Sequence, residues 1–78
     1  MTFNKAAMAS SIESRRKAMG LTQRQLADMV GVHYTRVTAW ESDEGATPNA
    51  ENIFRLAEVL GCTPNDLFKP TKLKPVTN

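Results

Sequence analysis

Short polar side chains are gathered on one face of the segment 33–41. If this segment is helical, Tyr34, Thr35 and Thr38 lie on the face opposite Val37 and Trp40. Side chains of this kind can approach the edge of a nucleic-acid base, where they donate or accept a hydrogen bond or touch a thymine methyl group. The chemistry that these residues predict is therefore recognition by contact, without the making or breaking of covalent bonds.

No group of residues has the spacing of a catalytic or metal site. The sequence contains one histidine, His33, and one cysteine, Cys62, and neither has a partner at a motif-like distance. A single ligand makes no metal site, and Cys62 is expected to be a small buried hydrophobic residue rather than a nucleophile. The four glycines are scattered and form no phosphate-binding loop. We therefore predict that the protein is not an enzyme and needs no metal or cofactor.

Residues 21–41 are predicted to form two short amphipathic helices joined by a glycine turn. Thr22 is the expected N-cap of the first helix, and Gln25 three residues later completes a capping box. Gly31 ends this helix, because a residue without a Cβ adopts positive φ without strain. The expected inward residues are Leu26, Ala27, Val30, Val37 and Trp40. This helix-turn-helix arrangement is the one that places its second helix in the major groove of DNA.

Three further helices are predicted outside this motif. Helix one should extend from about residue 9 to residue 19, and helix four should begin at Asn49, a good N-cap. Thr63 and Pro64 begin a short fifth helix that ends near Phe68. The residues expected to face inward are Met8, Ile12, Met19, Ile53, Leu56, Ala57 and Leu60, with Met29 as core filler.

The charges of the sequence are unevenly distributed. Residues 1–40 carry six Lys or Arg against two acids, 41–68 carry one Arg against six acids, and 69–78 add three lysines. Such polarity suits one face that meets phosphates and another that does not. We predict a single domain over 9–68, a flexible lead-in over 1–8 and an extended basic tail over 69–78. One cysteine and the lack of a long apolar run favour a cytoplasmic protein.

The chain from Ile12 to Phe68 resembles the phage-repressor and Cro family of helix-turn-helix proteins. The matching residues are Arg16, Thr22, Gln23, Ala27, Gly31, Trp40, Glu41, Pro48 and Asn49, and Leu60 to Pro64. The resemblance covers roughly three quarters of the chain, and the combination is more specific than a lone glycine turn. It implies an all-α fold, a compact bundle of about five helices, and a transcriptional regulator that acts at the nucleoid of a bacterial host cell.

The resemblance also implies which residues read DNA bases. Family members use the first turns of the second motif helix, which here contain Tyr34, Thr35 and Thr38, with Ala39 and His33 beside them. Thr35 or Ala39 could touch a thymine methyl group. No Asn or Gln occupies these positions, so the usual bidentate contact with adenine is missing and the sequence preference stays open.

Contacts with DNA phosphates are expected nearby. The resemblance places Gln23 at such a contact, at a helix N-terminus that favours anions. Further phosphate candidates are Arg16, Arg24, Arg36 and Ser42. Arg36 has guanine as an alternative partner, since arginine is the commonest bidentate partner of that base.

An ion pair between Arg16 and Glu41 is implied by the same resemblance, and it would link helix one to the second motif helix. The loop after Glu41 is a departure from the family, because it contains Asp43 and Glu44 where many relatives have basic or amide side chains. Two acids near phosphates would weaken binding, so we expect these two carboxylates to face away from DNA.

One domain of this size offers few base contacts, so we expect a homodimer on an approximately palindromic operator. The resemblance places the dimer contact at the end of the domain, and the candidates are Pro64, Leu67, Phe68 and Leu73. Two other functions use the same fold: a controller protein of a restriction-modification system, and an antitoxin whose first partner is a toxin protein. The sequence leaves open whether it is a complete Cro-like protein or the N-terminal domain of a longer repressor.

Overall fold

A computed structural model describes residues 5–68, which form five α-helices and no strand. The helices are α1 (Lys5–Ala18), α2 (Gln23–Val30), α3 (Tyr34–Trp40), α4 (Ala50–Leu60) and α5 (Pro64–Leu67). Within this range α2 packs on α3 and α4, while α1 packs on α3, α4 and α5. The predicted all-α bundle of five helices is confirmed.

The short helices depend on capping side chains at their first turns. The Thr22 hydroxyl accepts a hydrogen bond from the Gln25 N–H at 3.0 Å, and the Gln25 side chain accepts one from the Thr22 N–H at 2.8 Å. Asn49 caps α4, and Thr63 caps α5 with a second capping box. Isolated helices of four to eleven residues are unstable in water, so these bonds and the packing below determine where each helix begins.

One continuous apolar core joins all five helices. Trp40, at 2% exposure, is the largest side chain in it. The other members are Met8, Ile12, Leu26, Ala27, Val30, Val37, Leu56, Ala57, Leu60 and Leu67. Every inward position predicted for the two motif helices is buried, and Ile53 of α4 is partly buried against this core.

Helix α1 differs from its prediction at both ends. It begins at Lys5 rather than near residue 9, so residues 5–8 belong to the helix and not to a lead-in. Met19 was expected to face inward but lies beyond the helix end and is 47% exposed. The buried stripe of α1 continues from Met8 and Ile12 to Arg16, four residues further on, rather than to Met19.

Met29 was also expected in the core and is 54% exposed. The buried stripe of α2 is complete with Leu26, Ala27 and Val30, which leaves Met29 at the surface.

Residues 1–4 and the predicted tail over 69–78 lie outside the described residues. Among residues 5–68, no helix is long and apolar enough to span a membrane.

Candidate nucleic-acid interface

The helix α3 presents a polar outer face at its first turns. Its N-cap is His33, whose Nδ1 accepts a hydrogen bond from the Thr35 N–H at 3.3 Å. His33, Thr35 and Thr38 are exposed, whereas Tyr34 and Ala39 are half-buried. The five predicted base readers therefore lie along one short helix and its N-cap, and the buried Val37 and Trp40 fix the opposite face against the core.

A buried ion pair holds α3 against α1. Arg16 Nε donates to Glu41 Oε2 at 2.7 Å, and Arg16 Nη2 donates to Glu41 Oε1 at 2.9 Å. Arg16 Nη1 donates to the Leu21 carbonyl oxygen at 2.8 Å, so all three guanidinium nitrogens are engaged. The hydrogen bonds to Glu41 outweigh the burial of the guanidinium and raise the pKa of Arg16 above its usual value.

The predicted pair of Arg16 and Glu41 is thus present, but the predicted phosphate contact of Arg16 does not fit this geometry. Arg16 is 8% exposed, and each of its three guanidinium nitrogens already donates to an acceptor inside the chain. A guanidinium that is buried in this way and held in a bidentate pair is not presented to a phosphate. Its role here is to fix the orientation of α3 relative to α1.

Gln23 connects this ion pair to the outer face of α3. Its Nε2 donates to Glu41 Oε1 at 3.0 Å, and its Oε1 accepts a hydrogen bond from the Thr38 hydroxyl at 3.0 Å. One N–H of the amide therefore remains for a phosphate, and the Thr38 oxygen retains lone pairs that can accept a hydrogen bond. The result is a continuous chain of hydrogen bonds from Arg16 to Thr38.

A second cluster forms where α2 meets the start of α3. The Arg24 guanidinium carbon lies 3.9 Å from the centre of the Tyr34 ring, over its face. The His33 ring lies on the same tyrosine, with ring centres 4.9 Å apart and planes tilted by 33°. These three residues line a shallow pocket together with Asp28 and Val32. The sequence predicted each of the three residues separately but not their contact.

The other cations near this face differ in how they are held. Arg36 is exposed and makes no side-chain hydrogen bond or ion pair with any residue in 5–68. Lys17 forms an exposed ion pair with Glu13 at 2.8 Å, one helical turn away. Arg36, a predicted phosphate contact, therefore keeps its side-chain donors unused within residues 5–68, whereas Lys17 is paired.

Lys5 is a residue of this region that the sequence analysis missed. Its Nζ donates to the Trp40 carbonyl oxygen at 3.1 Å and to the Ser42 carbonyl oxygen at 2.5 Å, at the C-terminal end of α3. Partial burial lowers the pKa of Lys5, and the nearby Asp43 opposes that shift. The apolar stripe formed by Met8 and Ile12 could have extended helix one backward, but no sequence signal pairs Lys5 with α3.

The loop after α3 folds back against that helix. The Ser42 hydroxyl accepts a hydrogen bond from the Glu44 N–H at 3.3 Å and lies at the surface. A Cβ at Gly45 would overlap the backbone of Ala39, so only glycine fits this turn. The prediction that Asp43 and Glu44 face away from DNA stays a prediction.

The residues predicted for the dimer contact are placed unequally. Phe68 is 40% exposed and Pro64 is half-buried, so both can meet a second chain. The Leu67 side chain is fully buried in the core of its own chain, which removes it from any exposed surface and corrects that prediction. Leu73 lies outside the described residues.

Side chains that bind metal ions are not gathered in this part of the chain. No three His, Cys, Asp or Glu side chains among residues 5–68 are placed to hold a metal ion. Burial raises the pKa of the Cys62 thiol, which lowers the fraction of reactive thiolate at neutral pH.

Known proteins resemble this chain in sequence and in fold. The model of the family described as helix-turn-helix matches residues 12–67. Repressor protein C2 of Salmonella phage P22 is 38% identical over 67 residues, which are 86% of this chain and 31% of the relative. The cryptic phage CTXphi transcriptional repressor RstR of Vibrio cholerae is 36% identical over 56 residues, which are 72% of this chain and 49% of the relative. The chain thus spans about a third to a half of the length of these curated relatives.

Two solved structures extend the comparison. The P22 c2 repressor in complex with synthetic operator 9T has a TM-score of 0.76 and 38% identity, covering 82% of this chain and 96% of that chain. The restriction-modification controller protein C.AhdI of Aeromonas hydrophila has a TM-score of 0.75 and 28% identity, covering 82% of this chain and 96% of that chain.

Proposed function

The chain belongs to the helix-turn-helix family, and on that premise we propose that it is a sequence-specific DNA-binding transcriptional regulator of the phage repressor or Cro type. The observation that carries this proposal is the exposed polar face of α3, held in a fixed orientation by the buried pair of Arg16 and Glu41. In this role the protein acts by occupying an operator in the cytoplasm and excluding polymerase. It requires neither catalysis nor a cofactor.

In this proposal the first turns of α3 enter the major groove. Thr35 and Ala39 offer methyl groups to thymine, and the Thr38 oxygen accepts a hydrogen bond from a base because its own proton is directed to Gln23. His33 and Tyr34 stand at the N-terminal end of the helix, where recognition helices approach the bases most closely.

Phosphate contacts hold the helix in its groove. Gln23 can use its remaining amide N–H, and it stands in the first turn of α2, where the helix dipole favours an anion. Arg36, within α3, and Ser42, just after it, are exposed and supply two further candidates. These contacts set affinity and orientation, whereas the contacts of the α3 face with bases set sequence preference.

We propose further that the protein binds a palindromic operator as a homodimer. Two recognition helices would then lie about 34 Å apart, one turn of the DNA helix. The exposed Phe68 and the half-buried Pro64 are the described residues proposed for the contact, and Leu73 remains a candidate beyond them.

The direct test is a selection from random duplex DNA with the purified chain at physiological salt, followed by sequencing. We expect enrichment of a two-fold symmetric site, and sedimentation of the protein on that site should show two chains per duplex. The variant Thr35→Glu, which adds an anion to the exposed face, should lose the enrichment while keeping the unfolding midpoint. No enrichment by the wild-type chain would refute the proposal, and one chain per duplex would refute the homodimer.

A controller protein of a restriction-modification system is a second candidate. The structural likeness to C.AhdI over 82% of this chain favours it. Both functions require operator binding, so the selection does not separate them. The genes beside the coding sequence do separate them, because genes for a restriction enzyme and its methyltransferase next to it would favour a controller protein.

A further inference from the structure

The contact between Arg24 and Tyr34 joins a residue of α2 to the first residue of the proposed recognition helix. Arg24 is exposed, and its guanidinium carbon lies 3.9 Å from the centre of the half-buried Tyr34 ring. Stacking of this kind attracts a cation to an aromatic face and limits the rotamers of the arginine. The contact therefore carries the charged group of an α2 residue to the N-terminal end of α3.

The donors of this guanidinium are not used inside the described chain. The Arg24 side chain makes no hydrogen bond or ion pair with any residue in 5–68, and it does not pair with Asp28, which lies one helical turn away and lines the same pocket. A face-on contact with a ring leaves the N–H groups at the edge of the guanidinium available. They form the fork that binds two acceptors at once.

We infer that Arg24, held by Tyr34, reads a guanine in each half-site of the operator. This inference rests on the proposed function. Guanine presents O6 and N7 side by side in the major groove, and a bidentate arginine is the commonest specific contact with that base. The N-terminal residues of a recognition helix lie close to base edges, and Tyr34 is the first residue of α3.

The face of α3 that is proposed to read bases has no side chain that can make a bidentate contact with guanine. Its residues Tyr34, Thr35, Thr38 and Ala39 include no amide and no planar bidentate group. Arg36 is the other arginine nearby, but no side-chain hydrogen bond, ion pair or aromatic contact within residues 5–68 holds it in place. The contact with the Tyr34 ring holds the Arg24 guanidinium, whose two parallel N–H groups can bind a base, so Tyr34 acts as the positioning residue.

The two possible ligands of Arg24, a base and a phosphate, differ in what a substitution changes. If Arg24 reads guanine, Arg24→Lys keeps the charge but removes the planar fork that stacks on Tyr34, so the guanine preference at one position of the operator weakens while the other base preferences remain. If Arg24 contacts a phosphate, the same substitution changes the affinity for all sequences by the same factor, and every base preference remains.

The test repeats the selection with the wild-type chain, Arg24→Lys and the matched control Arg36→Lys, and then measures affinity by fluorescence anisotropy on duplexes that differ at one base pair. We expect the wild-type site to contain a guanine whose replacement by adenine weakens binding on the order of 10- to 100-fold. In Arg24→Lys this discrimination should fall to a few-fold, whereas Arg36→Lys should retain it at that position.

The pair of Tyr34 variants tests the positioning role. Tyr34→Phe keeps the ring and should retain more of the guanine discrimination than Tyr34→Leu, which removes the face on which Arg24 rests. Far-UV circular dichroism and the unfolding midpoint check that both variants are folded. Equal discrimination in Tyr34→Phe and Tyr34→Leu would overturn the role of the ring.

The outcomes separate this inference from the proposed function. A symmetric site whose guanine preference survives Arg24→Lys, or a site without guanine, would overturn the inference and leave the regulator function intact. A wild-type chain that enriches no sequence would overturn both.

Discussion

Substitution of Glu41 by alanine tests the bond that fixes the recognition helix. Arg16 and Glu41 have side chains that are only 10% and 4% exposed, and their shortest contact is 2.7 Å. In Glu41→Ala the Arg16 guanidinium stays buried with two of its three acceptor bonds lost, and Gln23 Nε2 also loses its acceptor. Removing one partner of a buried pair costs roughly 3 to 5 kcal/mol, because an uncompensated charge remains.

The expected loss is large for a domain of this size. Taking about 3 kcal/mol as the lower value, the melting temperature should fall by roughly 12 to 24 °C. Urea unfolding followed by Trp40 fluorescence measures the free energy directly, since Trp40 is the single tryptophan and is buried at 2% exposure. Operator affinity measured well below the melting temperature should fall as well, because α3 loses its ion pair with α1.

A matched control is present in the same helix. Glu13 pairs with Lys17 at 2.8 Å, but these side chains are 43% and 64% exposed. Glu13→Ala should therefore cost at most about 1 kcal/mol. A free energy of unfolding for Glu41→Ala within about 0.5 kcal/mol of the wild type, the usual range for surface changes, would refute the argument that burial makes this pair structurally necessary.

Four further predictions concern single side chains. Gly45→Ala should lower the free energy of unfolding by about 1 to 3 kcal/mol in urea, because its Cβ overlaps the Ala39 backbone; unchanged stability would contradict that close approach. Thr22→Ala removes a capping box and should cost about 1 kcal/mol in the same assay, and no loss would mean that this cap is redundant. Burial raises the pKa of the Cys62 thiol in the folded chain above its ordinary value of 9.0. As the pH rises above 9, the unfolded chain loses this proton before the folded chain does, so the free energy of unfolding should fall. Urea titrations at several pH values should show a smaller fall in Cys62→Ala, and an equal fall in both proteins would exclude this thiol as the source. Arg36→Ala should reduce the slope of log affinity against log salt concentration by about 1, whereas an unchanged slope would remove Arg36 from the phosphate contacts.

Local signals in the sequence were sufficient for the boundaries of the motif helices. Thr22 with Gln25 and the glycine at 31 act within one turn of the chain, so their positions predict the cap and the left-handed end directly. The stripe Leu26, Ala27 and Val30 needs only the helical period. The same reasoning placed the polar residues of α3 on one exposed face.

Contacts between distant residues could not be predicted in this way. Periodicity gave Met19 as an inward residue of helix one, but the third position of the stripe belongs to Arg16, a charge that is buried only because Glu41 lies 25 residues further on. The resemblance to repressors supplied that pair, whereas the residues alone did not. The bond from Lys5 to the Trp40 carbonyl spans 35 residues and left no trace in the local pattern.

At the proposed interface, the sequence identified the residues but not which of their polar groups already have hydrogen-bond partners within the chain. Whether a polar group is free to meet DNA depends on its neighbours across the helix junction. Gln23 is half-buried and keeps one amide N–H after its bonds to Glu41 and Thr38, whereas the Arg16 guanidinium is buried with a bond on each of its three nitrogens. These hydrogen bonds form only if the helices lie at the right distance from each other to within a few ångströms, and the types and order of the residues alone do not specify that distance.

The hydrogen-bonded chain from Arg16 to Thr38 also bears on how operator specificity could be redesigned. Thr35 and Arg36 have no such connection to the core, so a library can vary these two positions freely. Thr38 is different, because its hydroxyl donates a hydrogen bond to Gln23 Oε1, and Gln23 Nε2 in turn donates one to Glu41. A library that randomises Thr38 alone would sample base preference and helix orientation together, so positions 23 and 38 should be varied as one unit.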